Sequence, residues 1–131
     1  MHHVHKRLLI VDDDPGIQSQ LKWGFDDYEV YTADNFSNAI TAFKKYHPPV
    51  VTLDLGLPPD VDGESEGFAV LQQIMKIAPD TKVIIVSGSE NSLNIDRATE
   101  SGAYDYYSKP VQIEQLQQIV ESAYRAYQEK V

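Results

Sequence analysis

Several short apolar runs in this sequence end in residues able to do chemistry. The first is followed by three acids in a row, Asp12-Asp13-Asp14, the second by a lone acid, Asp54, and the third by Ser87-Gly88. Lys109-Pro110 lies just beyond a fourth run, which is rich in tyrosine. If the runs are parallel strands, their carboxyl ends share one edge of a sheet, where ligands of open α/β sheets bind. Carboxylates, a hydroxyl and an ammonium then meet there. Acids that close repel one another unless a cation screens them, and an all-oxygen set suits Mg²⁺ at about 2.0–2.1 Å. Beside such an ion a carboxylate can attack a phosphoryl donor and become an aspartyl phosphate. The metal, the lysine and the hydroxyl neutralise the phosphoryl oxygens.

The elements that must position these groups alternate between two periods. Residues 8–11, 28–33, 50–54, 82–87 and 103–107 read as strands, the continuous apolar ones as buried on both faces. Helices are expected over 37–46, 67–78, 93–101 and 112–128, and after Asp14-Pro15, an N-cap followed by proline at the first helical position. His47-Pro48-Pro49 closes the second helix, and the helix over 93–101 has a thin apolar face. Strands alternating with helices imply one α/β domain over 1–131, a doubly wound five-stranded parallel sheet with five helices. The one long connection, 55–66, holds Pro58-Pro59 and a cluster of acids. Its stretch from Asp60 to Gly67 fails the EF-hand template, because Gln73 falls where a bidentate Glu belongs, and reads as a solvated acidic loop.

Four motifs, in order and at the right spacing, resemble the response-regulator receiver family: Leu9-Ile-Val-Asp-Asp-Asp-Pro15, Val51-Thr-Leu-Asp-Leu-Gly-Leu-Pro58, Val83-Ile-Ile-Val-Ser-Gly88 and Gly102-Ala-Tyr-Asp-Tyr-Tyr-Ser-Lys-Pro110. The resemblance covers nearly the whole chain and implies a flavodoxin-like, CheY-like strand order 2-1-3-4-5. It implies that Asp54 accepts the phosphoryl group, with Asp12, Asp13, Asp54 and the Gly56 carbonyl around Mg²⁺. Lys109 would pair with the phosphoryl oxygens, its bond to Pro110 being cis. Ser87 and Tyr106 match the hydroxyl and the aromatic of the switch. A histidine kinase is the implied donor, and the switched surface is the face of the fourth helix, fifth strand and fifth helix. The implied protein is a signalling domain, not an enzyme beyond its own phosphorylation and dephosphorylation. Taken singly, each residue has a plainer reading: an acidic turn with Asp14 as cap, a turn hydroxyl, a surface lysine, or core aromatics at Tyr104, Tyr106 and Tyr107.

Composition sets the outer bounds. Of 131 residues, 42% are hydrophobic and none is cysteine, which excludes disulfides and thiolate chemistry and is compatible with a cytoplasmic location. No apolar run approaches the ~18 residues of a membrane span. The net charge of −9 argues against this domain binding nucleic acid by itself. His2, His3 and His5 read as a frayed terminus. A haloacid-dehalogenase-type Mg²⁺-dependent phosphatase is the first rival, but it wants a second Asp two residues after the nucleophile, and position 56 is Gly. A pseudo-receiver binding module is the second rival, opposed by the filled chemical positions. A nucleotide-binding flavodoxin-like protein lacks its Gly-rich loop. Small residues at Gly56 and Ser89 suggest slow self-dephosphorylation. Leu116, Val120, Ala123 and Tyr127 at coiled-coil spacing read 121–131 as a linker toward an output domain or a dimer, or as the core face of the last helix plus a tail. The long 54–67 segment resembles receivers of sigma-54-dependent activators of the PEP-CTERM-box type, which control transcription.

Overall fold

Residues 8–11 and 50–53 are apolar at nearly every position because both strands are covered on both faces. In a computed structural model, which describes residues 6–59, 65–88 and 92–129, β1 (Arg7–Val11) and β3 (Val50–Leu53) lie inside a parallel sheet. β4 (Lys82–Ser87) pairs with β3, while β2 (Glu29–Ala33) and β5 (Asp105–Ser108) form the edges. The order is β2-β1-β3-β4-β5, as the sequence motifs imply. Five helices connect the strands: α1 (Pro15–Gly24), α2 (Phe36–Tyr46), α3 (Ser65–Ile77), α4 (Ser92–Glu100) and α5 (Ile113–Glu129).

Side-chain alternation along the strands builds two cores. Leu9, Val11, Val51, Leu53, Val83 and Ile85 meet Phe43 of α2 and Phe68 and Leu71 of α3. On the opposite face Leu8, Ile10, Val50 and Ile84 meet Leu21 of α1 and Leu116, Val120 and Tyr124 of α5. Each fully buried aliphatic side chain contributes roughly 1.5–3 kcal/mol of transfer free energy. The apolar stripe of α5 thus faces its own sheet: Leu116, Val120 and Ala123 are buried, and Tyr127 is partly so. α4 is held more lightly, with Ala98 its buried side chain and the Arg97 guanidinium 4.0 Å above the Phe68 ring.

Local caps set the element ends, that of α2 where the sequence reading has it and the start of β5 two residues later than expected. α2 stops at Tyr46 because His47 takes the left-handed conformation (φ 49°) and donates its N–H to the Phe43 carbonyl. β5 begins at Asp105 rather than 103: Gly102 (φ 104°) and Ala103 bond back to Thr99 and Ala98 and close α4. Tyr104, expected in the core, is partly exposed and shares a hydrogen bond with Ser122. Trp23 stands out in solvent. Leu55 and Leu57 are buried, so the connection after β3 starts pinned to the core. Gly67 lets α3 approach it, since a Cβ there would lie 2.6 Å from the Leu55 carbonyl oxygen. Positions 60–64 of the acidic loop, the histidines 2, 3 and 5, Ser89 and residues 130–131 lie outside the described residues.

Candidate functional site

The end of β1 is bent into a fixed turn. The Asp12 N–H donates to the Ala33 carbonyl (3.0 Å), its carboxylate accepts the Asp14 N–H (2.9 Å), and the Gln18 amide donates to its carbonyl (2.6 Å). Asp14 is the N-cap of α1, accepting from the Gly16 and Ile17 N–H groups, so its carboxylate serves the helix. That leaves Asp12 and Asp13 to face the sheet edge.

Asp54 follows β3, its N–H donated to the Val11 carbonyl (2.8 Å), which sets it beside the β1 end. The Gly56 N–H donates to the Asp54 carboxylate (3.3 Å). One carboxylate oxygen from each of Asp12, Asp13 and Asp54 lies within 4.8 Å of the others. The Lys109 ammonium stands 3.1 Å from Asp12 Oδ2 and 3.7 Å from Asp54 Oδ2. Its backbone N–H donates to the Ser87 carbonyl (2.9 Å), and the Lys109-Pro110 bond is cis. Ser87 is buried at the end of β4. Tyr106 is half-buried against the first core and pairs in register with Ile85, on the sheet face that Ser87 shares.

The electrostatics follow from this crowding. Burial is the largest influence on Asp12 and raises its carboxyl above the ordinary value, with the Asp54 charge adding to it and Lys109 opposing. Asp54 is likewise raised, first by burial and then by Asp13, against the pull of Lys109 and the Gly56 N–H. Burial works against the Lys109 charge, yet Asp54 and Asp12 together outweigh it and hold that ammonium above the ordinary lysine value. The pocket therefore collects more negative charge than one lysine cancels. Hard oxygen donors at this spacing fit a small divalent cation.

Two contributors were missed in the sequence. Gln18 was invisible there because its partner is a backbone carbonyl. Tyr107 read as plain core, yet its buried hydroxyl accepts the Gln112 N–H (2.8 Å). The available signal was a tyrosine shortly before a helix whose N-cap position holds Gln rather than Ser, Thr, Asp or Asn.

A doubly wound sheet with acids and a lysine at its carboxyl edge makes a site suited to phosphate chemistry. The chain belongs to the response regulator receiver domain family, whose model matches residues 8–121. It is 34% identical to the chemotaxis protein CheY of Thermotoga maritima over 110 residues, covering 82% of this chain and 88% of that protein. It is 30% identical to the transcriptional regulatory protein KdpE of Staphylococcus aureus, covering 96% of this chain but 54% of KdpE, so it spans about half that relative. A crystal structure of NtrX from Brucella abortus superposes with a TM-score of 0.86 at 29% identity, covering 97% of this chain and 29% of that one. Receiver domains of this kind act in two-component systems and are phosphorylated by histidine kinases. Among the described residues no helix is long and apolar enough to cross a membrane.

Proposed function

We propose that Asp54 is the phosphoacceptor of a two-component response regulator. A carboxylate oxygen of Asp54 attacks the phosphorus of a kinase phosphohistidine; the O–P bond forms, the N–P bond breaks, and the imidazole leaves and takes up a proton. The observation that carries this is the Lys109 ammonium bridging Asp12 and Asp54, two of three converging carboxylates. Lys109 then follows the phosphoryl oxygens, where its charge counts most in a water-poor pocket.

Asp12, Asp13 and Asp54, with the Gly56 carbonyl, would hold Mg²⁺. Bound there, the ion supplies charge neutralisation for the phosphoryl oxygens. The new phosphate adds about −1.5 to −2 charges. Ser87 turns toward it, Tyr106 takes the space released, and the α4–β5–α5 face changes shape, a two-state equilibrium biased by one local charge event. The domain turns over no substrate beyond its own phosphoryl group. Its readout is an output domain, a transcription factor of the sigma-54-dependent kind, with the α4–β5–α5 face as a dimer contact. The setting is the cytoplasm, where the kinase active site lies.

The test is phosphorylation by acetyl phosphate with Mg²⁺, read as a mobility shift on a phosphate-affinity gel. Wild-type protein shifts and Asp54→Asn does not. Ordinary labelling of the Asp54→Asn variant would remove the assignment.

A further inference from the structure

We infer that Tyr107 is a positioning residue for this site: its hydroxyl staples the loop that carries Lys109. The inference rests on the phosphoacceptor reading, in which the Lys109 ammonium must meet the phosphoryl oxygens.

Lys109 sits on the short connection between β5 and α5. The near end of that connection is fixed by the Lys109 N–H on the Ser87 carbonyl (2.9 Å). Its middle is touched by the Gln20 amide on the Val111 carbonyl, a longer and solvent-exposed bond (3.3 Å). The far end, Gln112, donates its N–H to the Tyr107 hydroxyl at 2.8 Å, and that hydroxyl reaches Gln115 Oε1 at 3.2 Å. The Tyr107 ring is anchored in the second core, where Val111 and Ile113 also pack. A buried ring on β5 thus holds the first turn of α5.

The bond satisfies the backbone N–H of the residue just before α5. α5 starts at Ile113 behind Gln112, whose side chain is not among the good N-cap types, and the first N–H groups of a helix have no partners within it. Tyr107 supplies the Gln112 N–H with a partner from across the loop. The consequence for chemistry lies in Lys109 itself. Its side chain remains 22% exposed, so burial alone does not fix a long flexible stem. With both loop ends pinned, the ammonium starts from one place, beside Asp12 and Asp54. Phenylalanine at 107 would fill the same space and leave the Gln112 N–H without its acceptor.

The experiment compares wild-type chain with Tyr107→Phe in acetyl phosphate labelling across a Mg²⁺ titration. The maximal rate in the variant is expected to fall about fivefold, the factor that one ordinary hydrogen bond represents. The Mg²⁺ concentration for half-maximal rate is expected to stay unchanged, because the oxygen ligands belong to other loops. A maximal rate equal to wild type overturns the inference. So does a parallel shift of rate and Mg²⁺ dependence, which marks general loosening. Should Tyr107→Phe fail to fold, amide exchange in the wild-type chain decides: a protected Gln112 N–H supports the staple and a freely exchanging one overturns it. If wild-type protein is not labelled at Asp54, the phosphoacceptor reading falls, while Gln112 protection is unaffected; the two failures are therefore separable.

Discussion

Neutralising Asp54 is expected to stabilise the metal-free protein, against the usual outcome for altering a buried residue. Asp54 faces Asp12 and Asp13 with oxygens within 4.8 Å and Lys109 at 3.7 Å. With an effective dielectric of about 20, each repulsion at such spacing is ~3.5 kcal/mol and the attraction to Lys109 ~4.5 kcal/mol, leaving a net repulsion of roughly 2–3 kcal/mol before burial is counted. Asp54→Asn removes that repulsion, can still accept the Gly56 N–H, and leaves Lys109 its closer partner Asp12. A gain of about 2 kcal/mol is expected at neutral pH, or roughly 5–10 °C in Tm for a domain of this size. The pH dependence has a definite sign. Since the folded-state pKa of Asp54 is raised, the native protein binds more protons than the unfolded chain between the ordinary value of 3.8 and that higher value. Wild-type stability from this group falls as pH rises through that window, and the full deficit persists at neutral pH. The advantage of Asp54→Asn should therefore shrink as pH drops and vanish below about 3.8, where the carboxyl is protonated in both states. Saturating Mg²⁺ should close the gap at neutral pH by stabilising the wild type. Thermal melts in EDTA, with and without Mg²⁺ and across pH, measure all of this. A variant no more stable than wild type in EDTA at pH 7, or a gain that does not change with pH, would refute the charge-repulsion account.

Two further substitutions probe the frame that holds the site. Thr52 is 1% exposed on β3 between Ile10 and Ile84, and among the described residues its hydroxyl has no hydrogen-bond partner. Thr52→Val should therefore be neutral or stabilise by up to about 1–2 kcal/mol in urea unfolding, and a loss greater than about 1 kcal/mol would mean that the hydroxyl has a partner. Gly67→Ala should cost about 2–3 kcal/mol, since its Cβ would lie against the backbone of Leu55, directly after Asp54. A melt indistinguishable from wild type would show that α3 can back away.

The motifs carried the site because the chemistry depends on residue type at strand ends, and strand ends are marked by where apolar runs stop. Asp12, Asp54 and Lys109 were legible for that reason, and so was the parallel sheet, whose central strands are apolar throughout. Periodicity could not say what the α5 stripe packs against; only the fold turned Leu116, Val120 and Ala123 onto their own sheet. Nor could it tell two neighbouring tyrosines apart. Tyr106 leans on one core, while Tyr107, pointing to the other face, accepts through its hydroxyl the N–H of the residue just before a helix. Gln18 meets a backbone carbonyl just before its own helix and Gly67 the Leu55 backbone across a loop, and backbone groups carry no sequence signature. The sequence by itself determined which groups gather at the sheet edge, because side-chain identity sets charge and hydrogen-bonding capacity. The tertiary structure decided which neighbours hold those groups still, because that depends on distances between segments that local patterning does not encode.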